Sequence, residues 1–534
     1  MAGRHVEVER KLEPGTRFVL PPLTSIPGVA DSGPTVEHRL SATYFDTADL
    51  RLARARITLR RRTGGTDAGW HLKLPTAGAA RVEHHHPLGT RRGAPTRAVL
   101  EPVLGIVRTA PVSLVANLET TRVLTPLLAE DGRVLAEIAD DTVTGTAPAL
   151  EPGEPATVTT WREIEVELVD GDEALLAAVV EALVAAGAAP SGSPSKLARV
   201  LASRLAPPAP AGPRAPGKKK HGKKHGEKGR RAGRATKKAP PTALDVVVGS
   251  LREQVSALLD ADLRVRTGGE EGIHDLRVAC RRLRSILAAF RAVLDREATD
   301  PLRGELRWVG SALSAARDGE VALAHLRELV AAQPVEQIRG PVVARLQTAA
   351  VVDADAGRRR AVRTLSDRRY LALLDALDAL VADPPGTAAA GEPAAPALAR
   401  AIRRSGKRLA ERVEIAHAER EAVVGEDSPL HDVRKAVKRV RYTAEVATGV
   451  LGKPARELIA GTKSAQEVLG DAQDTVATRD WCLRLGRAAG AAGESTWTWG
   501  RLHALEEARA GARAAEFWAL EPELRAAVRA AAHR

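Results

Sequence analysis

Between Pro207 and Pro240 the chain reads PPAPAGPRAPGKKKHGKKHGEKGRRAGRATKKAP, rich in Pro, Gly and Lys and without apolar periodicity. Such a stretch cannot bury enough apolar surface to offset the entropy of ordering its backbone, so it reads as a disordered linker. It divides the 534 residues into two regions, 1–206 and 241–534. A chain this long exceeds what a single hydrophobic core supports, and the linker is where the division falls.

The net charge of +13 changes meaning once it is divided the same way. Residues 1–206 hold 23 Lys+Arg against 25 Asp+Glu, residues 207–240 hold 12 against 1, and residues 241–534 hold 45 against 41. The excess therefore belongs to the linker. Two compatible roles follow: a solubilising tether, or a polybasic arm that concentrates polyphosphate or nucleic acid without reading sequence. Aromatic residues make up only 3% of the chain, which argues against the stacking platforms of single-strand binders. The two cysteines, Cys280 and Cys482, are too few for a disulfide framework and are expected as small core residues in a reducing compartment. No signal-peptide apolar run follows Met1. The apolar stretch Ala174 to Pro190 is broken by Glu181, short of the ~18 uncharged residues a membrane span needs. The expectation is a cytoplasmic protein with no membrane partner.

Residues 5–168 alternate with period two in short runs separated by Gly and Pro, an antiparallel β pattern. Glu7, Glu9 and Lys11 share one strand face opposite Val6, Val8 and Leu12; Glu163, Glu165 and Glu167 share another opposite Ile164, Val166 and Leu168. Arg60 and Arg62 share a third face, and Lys73 lies between Leu72 and Leu74. An ordinary half-buried sheet would put such charges in water. The division of labour, carboxylates on the first and last strands and cations on the middle ones, instead favours a closed barrel with its charges in the lumen. There, carboxylates could hold a divalent cation and Arg and Lys could neutralise a phosphate chain.

The opening Glu7-x-Glu9-x-Lys11, Tyr44-Phe45-Asp46-Thr47, Leu59-Arg60-Arg61-Arg62, Lys73, the run Glu137 to Asp141, Glu163-x-Glu165-x-Glu167 and Ser195-Lys196-Leu197-x-Arg199 resemble the CYTH family of triphosphate tunnel metalloenzymes over about residues 4–206. The resemblance implies an eight-stranded antiparallel tunnel that hydrolyses triphosphate-containing substrates with Mg or Mn, a minority of members being adenylate cyclases or thiamine triphosphatases. It implies Glu7, Glu9, Asp141, Glu163, Glu165 and Glu167 as metal-binding carboxylates. Lys11, Arg60, Arg62, Lys73, Arg122 and Lys196 become the phosphate-binding cations, with Glu7, Glu9 and Lys11 as the catalytic group. Arg81 and Glu83 add a cation and an acid, but His84-His85-His86 departs from members that carry a further Arg there. The His tract has no third ligand at a recognisable spacing and is expected as a solvent-exposed turn.

From Ala243 onward the period becomes 3.6, and one element occurs twice at an offset of 157 residues. His274, Arg277, Arg281 and Arg284 recur as His431, Arg434, Lys438 and Arg441, each set forming one helical stripe, with Arg282 and Arg439 beside them. An apolar stripe, Ile273, Leu276, Cys280, Leu283 and Leu287, would face a bundle core. A second pairing aligns Arg317 with Gln473. The duplicated HDxRxxxRRxR element resembles the CHAD domain over about residues 241–530. That resemblance implies a pair of four-helix bundles related by pseudo-two-fold symmetry that binds inorganic polyphosphate, with the basic residues just named and Arg317 as its ligands. DNA would be held only non-specifically through phosphates.

The expected architecture is thus multi-domain α+β: an antiparallel eight-stranded β tunnel with helices, then an all-α pair of four-helix bundles. The expected activity is metal-dependent hydrolysis of inorganic triphosphate or a related triphosphate or polyphosphate. A non-catalytic protein held on polyphosphate granules is the rival, and a cyclase would need base contacts that the sequence does not identify. Oligomeric state is not legible.

Overall fold

The computed structural model describes every residue except 1–2, 65–66, 77–80, 90–92, 150–154, 207–239, 270, 420–428 and 533–534. Most of the expected linker thus lies outside the described residues, as does the side chain of Arg317. The chain forms two compact units, Met1–Gly229 and Arg230–Arg534.

The first unit is one antiparallel sheet of eleven strands: β1 (Gly3–Glu7), β2 (Glu9–Pro14), β3 (Asp31–Ser32), β4 (Val36–Asp46), β5 (Thr58–Thr63), β6 (Gly69–Pro75), β7 (Arg81–His86), β8 (Ser113–Leu128), β9 (Val134–Ala147), β10 (Thr157–Leu168) and β11 (Ala188–Pro190). The strand order is β1-β7-β6-β5-β4-β8-β9-β10-β2-β11, with β3 on β8. β1 and β2 are consecutive in the chain, yet they pair at opposite ends of that order: Glu7 lies opposite Arg81 on β7, and Lys11 opposite Glu165 on β10. The Leu168 N–H donates to the carbonyl of Val8, the residue between them, at 3.0 Å. One continuous segment therefore closes the sheet on itself. Counted as a single strand, it gives an eight-stranded ring to which the short β3 and β11 are added.

Period-two alternation assigns the two faces. Ile164 and Val166 point out of the ring and are wholly buried beneath Leu176, Val179 and Leu183 of helix α4. Short helices α1 (Arg51–Arg54), α2 (Arg97–Leu100) and α3 (Leu104–Val107) precede α4 (Glu173–Ala185), whose Asp172 cap accepts the Leu175 N–H at 2.8 Å. The apolar run Ala174 to Pro190 is thus mainly a helix on the outside of a barrel. α5 (Lys196–Val200) and α6 (Ala202–Leu205) follow, α5 capped by Ser195. Leu197 and Val200 of α5 pack with Trp161, Val143 and Tyr44. Gly145 permits that approach, since a Cβ there would stand 2.3 Å from a Val200 methyl.

The second unit is helical: α7 (Ala243–Thr267), α8 (Gly272–Ala289), α9 (Arg296–Ala312), α10 (Ser314–Ala331), α11 (Val342–Leu365), α12 (Arg368–Ala382), α13 (Ala394–Ala418), α14 (Pro429–Leu451), α15 (Lys453–Ala491) and α16 (Trp497–Ala532). The duplication is visible in their lengths. α7 and α8 correspond to α13 and α14; α9 and α10, parted at Leu313, correspond to the unbroken α15, and α11 and α12 to α16. Each repeat contributes four helical segments, two of them broken in the first. The apolar stripe of α8 is buried at Leu276, Cys280, Leu283 and Leu287. A buried polar knot joins α10, α15 and α16, where Glu506 accepts from the Thr478 hydroxyl and contacts His325 at 2.9 Å. Among the described residues no helix is long and apolar enough to cross a membrane.

Candidate functional site

The face of the ring opposite the apolar shell encloses a cavity of about 280 Å³. Glu7, Glu9, Lys11, Arg60, Arg62, Lys73, Arg122, Glu165, Glu167 and Lys196 all line it, so ten of the twelve tunnel residues singled out from sequence converge there. The remaining two, Asp141 and Glu163, face each other in the β9–β10 ladder. With Glu165 they make an acidic group in which one oxygen from each carboxylate lies within 4.8 Å of the others.

Two charge networks fill the lumen. In the first, the Lys196 ammonium lies 2.9 Å from Asp141 and 2.7 Å from both Glu163 and Glu165. Arg122 grips Asp141 with two parallel bonds of 2.8 and 2.7 Å and reaches Glu165 at 2.6 Å, while Lys11 pairs with Glu165 and Glu9. In the second, Lys73 lies 2.6 Å from Glu7 and 3.4 Å from Glu83, with Arg60 3.6 Å from Glu83.

Electrostatics separates carboxylates that the sequence leaves equivalent. Burial alone would raise Glu165, but Lys11, Lys196 and Arg122 outweigh it and hold the group well below the usual carboxylate range. Glu7 is pushed up to about 8 by burial and by the adjacent Glu83, against the pull of Lys73. Glu83 moves the opposite way, its burial outweighed by His71, Glu7, Lys73 and Arg60. Burial likewise opposes the charge on Lys196, yet Glu165, Asp141 and Glu163 keep its pKa above the usual lysine value.

The His tract requires a correction. His84, His85 and His86 lie on β7 and are half-buried, rather than forming an exposed turn. His84 pairs with Leu72 and His86 with Trp70 of β6, and the ring of His85 stacks edge-on against His71 at 4.9 Å. Glu83 lines the cavity, and the buried His71 holds it through Nδ1 while its Nε2 lies 2.8 Å from the Asp67 carbonyl. The signal for His71 was its position two residues before Lys73, on the same strand face. Asp46 is an anchor rather than a ligand: it accepts the backbone N–H groups of Thr47, Leu52 and Ala53 and fixes the turn into α1.

In the second unit α8 and α14 pack together, so the two basic stripes meet. Arg281 donates to the Tyr442 hydroxyl at 2.9 Å, Arg282 lies 3.5 Å from Glu445, and Arg441 lies 3.0 Å from the same carboxylate. Arg277 reaches the Ser314 hydroxyl at 3.3 Å, and His431 contacts Gln473 at 2.6 Å. His274 and Arg434 are half-buried on the same helices. Burial and the nearby guanidiniums of Arg307 and Arg303 push Arg284 down, and burial with Arg408, Arg303, Arg291 and Arg284 does the same to Arg439. The basic cluster therefore extends onto α9 and α13, which the repeat pattern on α8 and α14 alone could not reveal.

Comparison with known proteins agrees with this division. The family model described as the CYTH domain matches residues 5–200, and that described as the CHAD domain matches residues 249–483. Two Mycobacterium tuberculosis proteins, named Uncharacterized protein Rv2226 and Uncharacterized protein MT2285, are each 37% identical over 516 residues, spanning 94% of this chain and 93% of the relative. Among solved structures, PptA from Streptomyces chartreusis is similar at 22% identity, covering 53% of this chain and 100% of that one with a TM-score of 0.43. The CHAD domain from the plant Ricinus communis is similar at 24% identity, covering 57% and 97% with a TM-score of 0.41. With the two domain matches in this order, and with relatives alike across nearly their whole length, the chain belongs to the proteins that join a CYTH domain to a CHAD domain.

Proposed function

We propose that the first unit hydrolyses a triphosphate-containing substrate, inorganic triphosphate or a longer polyphosphate, with Mg or Mn, and that the second unit binds inorganic polyphosphate. The observation that carries the first half is the charge balance of the lumen, where seven carboxylates stand among seven Lys and Arg side chains. A purely anion-binding cavity would not spend half its charge on carboxylates. A cavity that takes a polyanion together with cations would.

The donor set fits a hard divalent cation, because Asp141, Glu163 and Glu165 offer only oxygen atoms and these cluster within 4.8 Å. These three would hold it, with Glu7, Glu9 and Glu167 as further oxygen donors on the lumen wall. When bound, such a cation polarises phosphoryl oxygens and offsets their charge. The chain's own residues supply the rest. Arg60, Arg62 and Arg122 orient the phosphate oxygens through planar forks, Lys11, Lys73 and Lys196 add point charges, and the ring of strands restricts access of bulk water. A water attacks the terminal phosphorus in line as the bridging P–O bond breaks, the shortened phosphate chain leaves with the bridging oxygen and the water's proton passes to solvent, so no protein nucleophile is required.

A silent tunnel in a polyphosphate-holding protein is the second reading, favoured by the Lys196 ammonium standing amid the three clustered carboxylates. The test is phosphate release from inorganic triphosphate, ATP and long-chain polyphosphate with Mg or Mn, comparing the wild type with Glu7→Ala/Glu9→Ala. Metal-dependent release abolished in the double variant supports the enzyme. No release by folded wild type, with polyphosphate still bound, supports the holding protein.

A further inference from the structure

The junction of α8 and α14 is built on charged side chains as much as on apolar ones. Arg281 donates to the Tyr442 hydroxyl at 2.9 Å and lies over its ring at 6.0 Å, and Tyr442 itself is buried. Lys438, one turn before Tyr442 on α14, is half-buried on the same basic stripe. Lys438 feels Arg434 on its own helix and Arg281 and Arg277 across from it, and Asp474 on α15 is the opposing charge that acts on it most. Among the described residues no carboxylate lies within 4.0 Å of its ammonium.

The consequence is a lysine that cannot easily stay charged. Burial withdraws its ammonium from water and the three guanidiniums repel it, and together they bring its pKa down to about 6. At neutral pH the empty groove therefore holds arginines, which stay protonated, around a largely neutral amine.

Resting on the polyphosphate reading above, we propose that Lys438 is a specificity-determining residue of the groove, taking up one proton from solvent when a phosphate chain binds and presenting the resulting ammonium to it. The charge balance is simple: the proton goes to Nζ, and the ammonium so formed is offset by phosphate oxygens that replace the missing carboxylate. Only a densely charged anion can reverse the repulsion of three guanidiniums. In polyphosphate a single bridging oxygen separates consecutive charged phosphates, whereas in nucleic acid a sugar intervenes, so the groove favours the former. At pH above 6 the affinity for polyphosphate should fall by up to about tenfold per pH unit, because each binding event then draws a proton from solution.

The experiment is calorimetric titration of the full chain with linear inorganic polyphosphate, in metal-free buffers of different ionisation enthalpy at pH 8. The expected result for wild type is uptake of about one proton per bound groove. Lys438→Arg, which is charged throughout, should bind without that uptake, and Lys438→Met should lose both the uptake and several-fold in affinity. His431→Gln should leave the uptake in place, and single-stranded DNA should bind the wild type without it. Binding of polyphosphate with no proton uptake, or unchanged uptake in Lys438→Arg, overturns the proposal. Equal uptake with DNA overturns its specificity claim. Failure of the wild type to bind polyphosphate at all sinks the underlying reading instead.

Discussion

The ammonium of Lys196, on the short helix α5, lies 2.9 Å from the fully buried carboxylate of Asp141 on β9. It also serves Glu163 and Glu165, so one cation from the C-terminal end of the first unit holds together three acids from two neighbouring strands. Removing it would leave buried negative charge that Arg122 and Lys11 offset only in part. Lys196→Met should therefore destabilise the first unit at pH 7 by about 3–5 kcal/mol.

The same variant tests the carboxylate group as a cation site. With the ammonium gone, Mn or Mg should stabilise Lys196→Met more than it stabilises the wild type, which thermal unfolding with and without the metal would read. Equal shifts in the two proteins would mean that Asp141, Glu163 and Glu165 do not form the cation site.

The knot on Glu506 predicts an acid-labile second unit. Burial alone would raise this carboxyl, but His325, Thr478 and Arg509 outweigh it and hold it below the usual range. A carboxylate lowered on folding adds stability above its unfolded pKa, and that stability is lost as pH falls through the folded value. Glu506→Gln should cost about 1–2 kcal/mol at pH 7 and little near pH 3, flattening the acid limb. Amide exchange in α10 and α16 across that range is the measurement, and parallel acid limbs for the two proteins would refute it.

How much was legible depends on whether a property is local. Period-two alternation exposes Glu7, Glu9, Lys11 and Glu165 directly, and closure of the sheet then brings them into one lumen, with Glu163 held beside it by Lys196. Spacing alone puts His71 on the face of Lys73 but says nothing of its role, because its hold on Glu83 depends on the pairing of β6 with β7. The His tract was misplaced because composition alone does not reveal that β1 and β6 flank it. In the second unit the duplication gave both basic stripes. Their meeting at Tyr442 is a tertiary fact, and so is the break at Leu313, where neither Pro nor Gly marks the end of α9.

Arg281 and Tyr442 separate contact from support in the groove. Arg281→Ala removes a cation and should weaken polyphosphate binding by about tenfold, lowering the slope of log affinity against log salt by about one. Tyr442→Phe leaves every cation in place and removes only the hydroxyl that orients Arg281. It should leave the salt slope unchanged and cost about 0.5–1.5 kcal/mol in stability. Titrations at several salt concentrations decide between the two effects, and an unchanged slope for Arg281→Ala would place that guanidinium outside the ligand's reach.

The even charge balance of the lumen makes metal removal the sharpest test of the tunnel. Seven cations stand among seven carboxylates, and even with Glu7 raised to about 8 they leave about one net positive charge to receive an inorganic triphosphate, whose own charge is strongly negative at neutral pH. Entry must displace carboxylates from their Lys and Arg partners, and those carboxylates then need other counter-charges. Triphosphate should therefore bind at least tenfold more weakly to the first unit when a chelator is present than with Mg or Mn. Glu165→Gln, which relaxes the hold on Lys11 and Lys196, should recover part of the metal-free binding while losing turnover. Calorimetry with and without metal measures both quantities. Tight binding of metal-free triphosphate by the wild type would show that the cations act independently of the carboxylates, and the coupled entry of anion and metal would have to be abandoned.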